Sequence, residues 1–160
     1  MSKVIKIKKG LDIKLVGEAE KVVSELPVGE RYAISPLGFE GVVPKLLVAE
    51  GDKVLAGSAL FYDKAHPEVM FTSPVSGTVS AIRRGEKRKL LAIEVTADAQ
   101  QSYKPFNINL SKISREELVA VLLESGLWTS IIQRPYGIIA DAKDAPKAIF
   151  VSGFDSAPLA

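Results

Sequence analysis

The chain has 160 residues, 47% hydrophobic and 25% charged, with a formal net charge of +2 and no cysteine. A globular core is within its means, and the near-neutral balance argues against a phosphate-binding surface, so nucleic acid is not an expected partner. The missing cysteines exclude disulfides, thiolate metal sites, cysteine nucleophiles and cysteine-ligated iron–sulfur clusters together.

The opening "MSKVIKIKKGLDIKL" scatters lysines among Val4, Ile5, Ile7, Leu11 and Ile13. It lacks the continuous apolar run of a signal peptide. No later segment approaches the roughly 20 apolar residues of a membrane span, so a soluble, cytoplasmic chain is expected. Gly17, Gly29, Gly38, Gly41, Gly51, Gly57, Gly77 and Gly85 then separate short runs rich in Val, Leu and Ile, which is the punctuation of a β domain. Strands are predicted over Val42 to Val48, Ala59 to Tyr62, Val69 to Thr72, Gly77 to Arg83 and Arg88 to Thr96, with tight turns at "AEGDKV" and "RRGEK". In the first turn Gly51 suits a positive φ and Asp52 can bond its own downstream backbone. In "TSPVSGTV", Pro74 blocks ladder pairing and Gly77 permits a bend. A small sandwich with these two corners close together is the expectation.

After Thr96 the pattern changes. "ADAQQSYKPFNINL" reads as a linker and "SREELVAVLLESGLW" as a helix, with Ser114 at the N-cap and Glu117 at capping-box spacing. Leu118, Val121, Leu122 and Ser125 are predicted to share its inner face, and Gly126 to end it in a left-handed conformation. "PKAIFVSGFDSAPLA" reads as a buried strand, Ala148 to Ser152, then a loop leading toward a helix. An ending just after a predicted central strand leaves no partners for it on either side, which is the expectation for an engineered fragment of a longer protein.

"FTSPVSGTVSAI", Phe71 to Ile82, looks like one arm of a domain that carries biotin or lipoate on a swinging lysine. Such a lysine must stand at the tip of a hairpin with arms of equal length. The arms here run from Leu60 to Ser73 with a midpoint near His66 and Pro67, and Lys64 in "YDKAHP" is off it. Acylation is therefore not expected. The carrier module is the alternative function, and this asymmetry argues against it.

Three blocks in order, "IKIKKGLDIKLVGEAE", "VAEGDKVLAGSALFYDKAHPEVMFTSPVSGTVSAIRRGEKRKLL", and "SGLWTSIIQRPYG" followed by "AIFVSGFDSAPLA", resemble the NqrA family of sodium-translocating NADH:quinone oxidoreductase subunits. The resemblance covers nearly the whole chain and implies a mostly β, α+β organisation: a biotinyl/lipoyl-like barrel-sandwich hybrid domain, then the start of a Rossmann-like α/β domain. Residues 1–39 would form an N-terminal segment associated with the β domain, 40–97 the barrel-sandwich, 98–110 a linker and 111–160 the beginning of the truncated second domain. Members are peripheral, on the cytoplasmic side of the bacterial inner membrane. They belong to a translocase of the electron transport chain that passes electrons from NADH to ubiquinone while exporting sodium. The resemblance implies a scaffold and quinone-associated role with no cofactor bound by this chain. NADH, flavin and iron–sulfur centres would lie in other subunits, ubiquinone would be a substrate of the complex, and the membrane would be reached only through it.

Trp128, Arg134 and Tyr136 are the candidate contacts to quinone or to a neighbouring subunit, because an indole and a phenol can flank a quinone ring while a guanidinium donates to its carbonyl. Ordinary packing of Trp128 under the helix and an Arg-Pro corner is the alternative. No catalytic residue and no metal ligand is expected: His66 is the lone histidine, and its neighbours Asp63 and Glu68 are weak ligands. Arg83, Arg84, Lys87, Arg88 and Lys89 could bind an anion or form a solvated hairpin that touches acidic subunits or headgroups. More distantly, "SGLWTSIIQRPYG" resembles the region where the flavin-binding subunit of proton-pumping NADH dehydrogenase and the RnfC component of the Rnf complex place a glycine-rich phosphate loop. Bulky Trp, Ile and Gln stand there instead, so a degenerate nucleotide site is expected, with Asp155 matching an acidic segment of those relatives.

Overall fold

Two antiparallel sheets organise the computed structural model, which describes residues 6, 16, 17, 20, 22–25, 27 and 29–152. The chain divides into one unit of Met1–Pro27 with Pro146–Ala160 and another of Val28–Ala145, and all described helices and strands lie in the latter. The four-stranded sheet runs β1 (Arg31–Ile34), β7 (Leu90–Ala97), β6 (Gly77–Arg84), β3 (Lys53–Val54). The three-stranded sheet runs β2 (Pro44–Leu46), β4 (Ala59–Asp63), β5 (Met70–Thr72). Their inner faces meet in one core containing Leu60, Phe61 and Phe71 from one sheet and Val54, Val79, Leu90, Ile93 and Val95 from the other. Phe61 and Phe71 stack with centroids 4.5 Å apart, and Phe39 meets Phe71 edge-on at 4.8 Å.

The five predicted strands correspond to β2, β4, β5, β6 and β7; β1, β3 and the two strands of a short hairpin after the helix were not foreseen. The two corners are hydrogen-bonded to each other. The Gly51 N–H donates to the Val79 carbonyl at 2.8 Å, and the Val79 N–H to the Asp52 carbonyl at 2.9 Å. Gly51 has φ +94°, as expected. Asp52 works in the opposite direction from that anticipated: its carboxylate accepts from the upstream Ala49 N–H at 2.8 Å. Gly77 is required for space rather than for bending, since a Cβ there would overlap the Thr96 carbonyl across the sheet. In the basic turn the positive φ values fall on Lys87 (52°) and Arg88 (60°), not on Gly85.

The stretch after β7 is strapped to the barrel. Buried Ser76 accepts from the Ser102 N–H at 2.9 Å, and its own N–H donates to Gln101 Oε1 at 2.7 Å. The Ala56 N–H donates to the Ser102 carbonyl and the Lys104 N–H to the Ala56 carbonyl, at 3.0 and 2.8 Å. The strap leads to α1 (Arg115–Glu124), which starts with the predicted capping box: the Ser114 hydroxyl accepts from the Glu117 N–H and the Glu117 carboxylate from the Ser114 N–H. Val119, Leu122 and Leu123 pack against the core; of the predicted set only Leu122 is among them, and Leu118, Val121 and Ser125 are not. Apolar side chains at 118, 119 and 121–123 surround much of the helix, so spacing alone does not select a face.

A 3-10 turn, Leu127–Ser130, and a short hairpin of β8 (Ile132–Gln133) and β9 (Ile138–Ile139) follow. The strand predicted over Ala148 to Ser152 is not formed, and Ile149, Phe150 and Val151 are exposed. Among the described residues no strand lies beside it, and a parallel strand exists only through hydrogen bonds to neighbours. The loop predicted after it, Asp155 and most of the opening "IKIKKGLDIKLVGEAE" lie outside the described residues. No described helix is long and apolar enough to cross a membrane.

Candidate functional site

The hairpin between β4 and β5 has its centre where the arm lengths placed it. The Asp63 N–H reaches the Val69 carbonyl and the Val69 N–H reaches the His66 carbonyl, at 3.4 and 2.9 Å, so the tip is the His66–Val69 turn with Pro67 and Glu68 at its centre. Lys64 stands immediately after β4, its N–H donating to the Val43 carbonyl at 2.8 Å. Its backbone is therefore on the shoulder of the hairpin. Buried Asp63 holds that shoulder by accepting from the N–H groups of Val43 and Ala65 at 3.0 and 3.3 Å.

The basic hairpin between β6 and β7 is partly self-neutralised. Arg83 Nε donates to Glu94 Oε1 at 2.7 Å, with the second guanidinium nitrogen 3.4 Å from Oε2. The pair raises the arginine's pKa and lowers the carboxylate's, chiefly through that hydrogen bond. Arg84 donates to the Arg88 carbonyl at 3.2 Å. An open depression lined by Arg31, Tyr32, Ala33, Arg83 and Glu94 lies alongside, its positive and negative groups intermixed.

Downstream of α1, the chain is anchored at one end and exposed at the other. Gly126 takes φ +81° at the helix end, as foreseen, and a Cβ on it would lie 2.8 Å from Thr72 Oγ1. The Thr72 hydroxyl donates to the Ser125 carbonyl at 3.1 Å, which fixes the helix end against β5. Trp128 is buried in the core cluster and its indole N–H donates to the Ala140 carbonyl at 2.7 Å, bracing the base of the β8–β9 hairpin. Arg134 and Tyr136 are exposed in the turn of that hairpin, where the Arg134–Pro135 peptide is cis. The hairpin thus separates the three candidate contacts, putting Arg134 and Tyr136 at its tip and Trp128 at its root. Leu127, Ile131, Ile132 and Ile138 add exposed apolar surface to the same segment. Sequence reasoning missed Thr72 as the partner of this segment, because a threonine in a short strand carries no local sign of a contact so distant in the chain.

Residues 5–98 match the model of the NqrA N-terminal barrel-sandwich hybrid domain, and residues 113–160 that of the NqrA second alpha/beta domain. Among curated relatives, the NqrA protein of the Na(+)-translocating NADH-quinone reductase of Photorhabdus laumondii is 42% identical over 159 residues, covering 98% of this chain and 36% of that protein. The protein of the same name from Neisseria meningitidis is 40% identical over 161 residues, and that from Saccharophagus degradans 38% over 159, with the same coverage. The chain therefore spans 36% of the length of the relatives it matches.

Proposed function

Because the chain belongs to the NqrA family, we propose that it works as the peripheral NqrA component of a respiratory sodium pump that couples NADH oxidation and ubiquinone reduction to Na+ export. The observation carrying this reading is the 42% identity, sustained over 98% of the chain, to a relative named as a component of a Na(+)-translocating NADH-quinone reductase. Its role is that of a scaffold with quinone-side or intersubunit contacts and no redox centre of its own. Flavin and iron–sulfur centres belong to other subunits, and the absence of cysteine fits that division of labour. The barrel is of the biotinyl/lipoyl-like type and the chain after it opens a Rossmann-like domain, with 1–39 as a segment associated with the barrel, 40–97 as the barrel-sandwich, 98–110 as a linker and 111–160 as the start of the second domain; β1 (Arg31–Ile34) is the part of the first segment that joins the barrel's sheet. Association is with the cytoplasmic side of the inner membrane through the other subunits.

The contact surface on this reading is the β8–β9 hairpin. Arg134 and Tyr136 offer a fork of donors and an amphipathic ring beside exposed isoleucines, which is the composition of a protein or quinone contact. Trp128 contributes by holding the hairpin root. The bulky segment 127–136 offers no run of glycine N–H groups to a phosphate, and Gly126 is already committed against Thr72. Affinity isolation of the protein carrying this chain from detergent-solubilised membranes tests the assignment. Na+-dependent NADH:quinone reductase activity should co-isolate with it; isolation free of that activity would contradict the assignment.

A further inference from the structure

His66 and Glu68, from the tip of the β4–β5 hairpin, meet Asp141, which follows β9. One ligand atom from each lies within 4.8 Å of the other two. All three side chains are half-buried. Glu68 Oε1 is shut off from water and has no hydrogen-bond partner. The nearest cation, Lys143 Nζ, is 3.8 Å away, beyond hydrogen-bond reach, on a side chain that is 79% exposed. A carboxylate oxygen left in that condition is costly unless something positive meets it.

We propose that His66, Glu68 and Asp141 form a binding site for a divalent transition-metal ion of the zinc class, which clips the barrel hairpin to the segment leaving β9. An imidazole nitrogen with two carboxylate oxygens is a donor set suited to such ions, and three protein ligands leave one position for water. Bonds of about 2.0–2.2 Å in a tetrahedral arrangement bring ligand atoms to roughly 3.3–3.6 Å apart. The cluster must tighten by about an ångström, which side-chain rotations of a hairpin tip can supply. Lys143 is the competing charge: without the ion it sits near Glu68, and with the ion it swings into solvent. Asp141 Oδ1 also accepts from the Lys143 N–H at 2.9 Å, which orients the carboxylate and leaves its second oxygen for the ion. Because the ligands come from elements far apart in sequence, binding selects the folded chain and raises its stability.

Zinc chloride titrated calorimetrically into the tag-free, metal-free 160-residue chain tests this, with bound metal counted by elemental analysis. One zinc per chain is expected, with a melting temperature that climbs with zinc concentration. Magnesium should do neither, since it keeps to oxygen ligands. Asp141→Asn retains the acceptor for the Lys143 N–H while weakening the ligand, and His66→Gln removes the imidazole. Each should weaken binding by at least about 10- to 100-fold, the scale of losing even an outer-shell partner. Lys143→Met, at an exposed side chain that does not threaten folding, should tighten binding by removing the rival cation. Absence of stoichiometric zinc binding, wild-type affinity in Asp141→Asn or His66→Gln, or no tightening in Lys143→Met would each overturn the site.

Discussion

Thr72 Oγ1 stands 2.8 Å from where a Cβ would be on Gly126, so a strand of the barrel occupies the space that any side chain at the end of α1 would need. The glycine is demanded twice, by its φ of +81° and by this contact. Gly126→Ala should therefore cost more than the roughly 1–2 kcal/mol of a left-handed non-glycine backbone. Gly41→Ala is the matched control, with φ +78° and nothing within 4 Å of its Cβ position, and should show the backbone cost alone. Thermal or urea unfolding of the two variants decides between them. Equal losses would mean that the Thr72 contact yields without cost.

Trp128 and Arg134 should behave differently although they are close in sequence. Trp128→Phe keeps most of the buried ring but orphans the Ala140 carbonyl, so a loss of about 1–3 kcal/mol in stability is expected. Arg134→Ala and Tyr136→Ala, at an exposed turn, should leave stability within about 0.5 kcal/mol of the parent. If the chain works in the proposed sodium pump, the latter two should instead raise the quinone KM or weaken assembly there, by roughly 5- to 150-fold where a buried hydrogen bond is lost. Normal quinone kinetics and normal assembly in both would return the hairpin tip to plain surface.

The capping box makes the helix acid-sensitive. Glu117 has its pKa lowered, first by the Ser114 N–H and then by the Ser114 hydroxyl. A depressed folded-state pKa means that folding favours the ionised form, so its contribution is present above the ordinary value of 4.5 and is lost as pH falls through the lower folded value. Melting temperature followed from neutrality to about pH 3 should thus fall less steeply in Glu117→Gln than in the parent. Glu94, whose pKa is lowered chiefly by its hydrogen bond with Arg83, keeps part of the slope in both. Ser114→Ala should cost about 0.5–2 kcal/mol at neutral pH. Superimposable pH curves for Glu117→Gln and parent would contradict the capping geometry.

Lys64 should remain a free amine. It sits beside β4 with its backbone N–H committed to the Val43 carbonyl, while the hairpin tip is the turn of His66–Val69. Protein made in a host with active biotin and lipoate ligases should give the bare polypeptide mass. A biotinyl- or lipoyl-sized increment would show that position on the hairpin shoulder suffices.

Much of the barrel was legible because its signals are local. Gly51, the short glycine-separated apolar runs and the spacing of Ser114 and Glu117 each report on residues a few positions away, and each marks a feature found in the structure. What was missed in the two larger sheets depends on distant pairing. β1 and β3 are four and two residues long and exist through β7 and β6. Gly77 reads as a bend in sequence, yet its reason is the Thr96 carbonyl on a neighbouring strand. The predicted strand at Ala148 to Ser152 fails for the same reason reversed: its Ile149, Phe150 and Val151 have β-forming side chains but no described strand beside them. The candidate contacts were visible as residue types, but not their separation along a hairpin, and Asp141 gave no sign in sequence of its approach to His66 and Glu68.

Na+-stimulated ubiquinone reduction by membranes of cells lacking the protein that carries this chain tests the central claim most directly. Those membranes should lose it while still oxidising NADH with an artificial acceptor, and should recover it when the protein is supplied again. Undiminished Na+-stimulated quinone reduction in its absence, or an equal loss of acceptor-linked NADH oxidation, would contradict a component that supports the quinone step without carrying electrons itself.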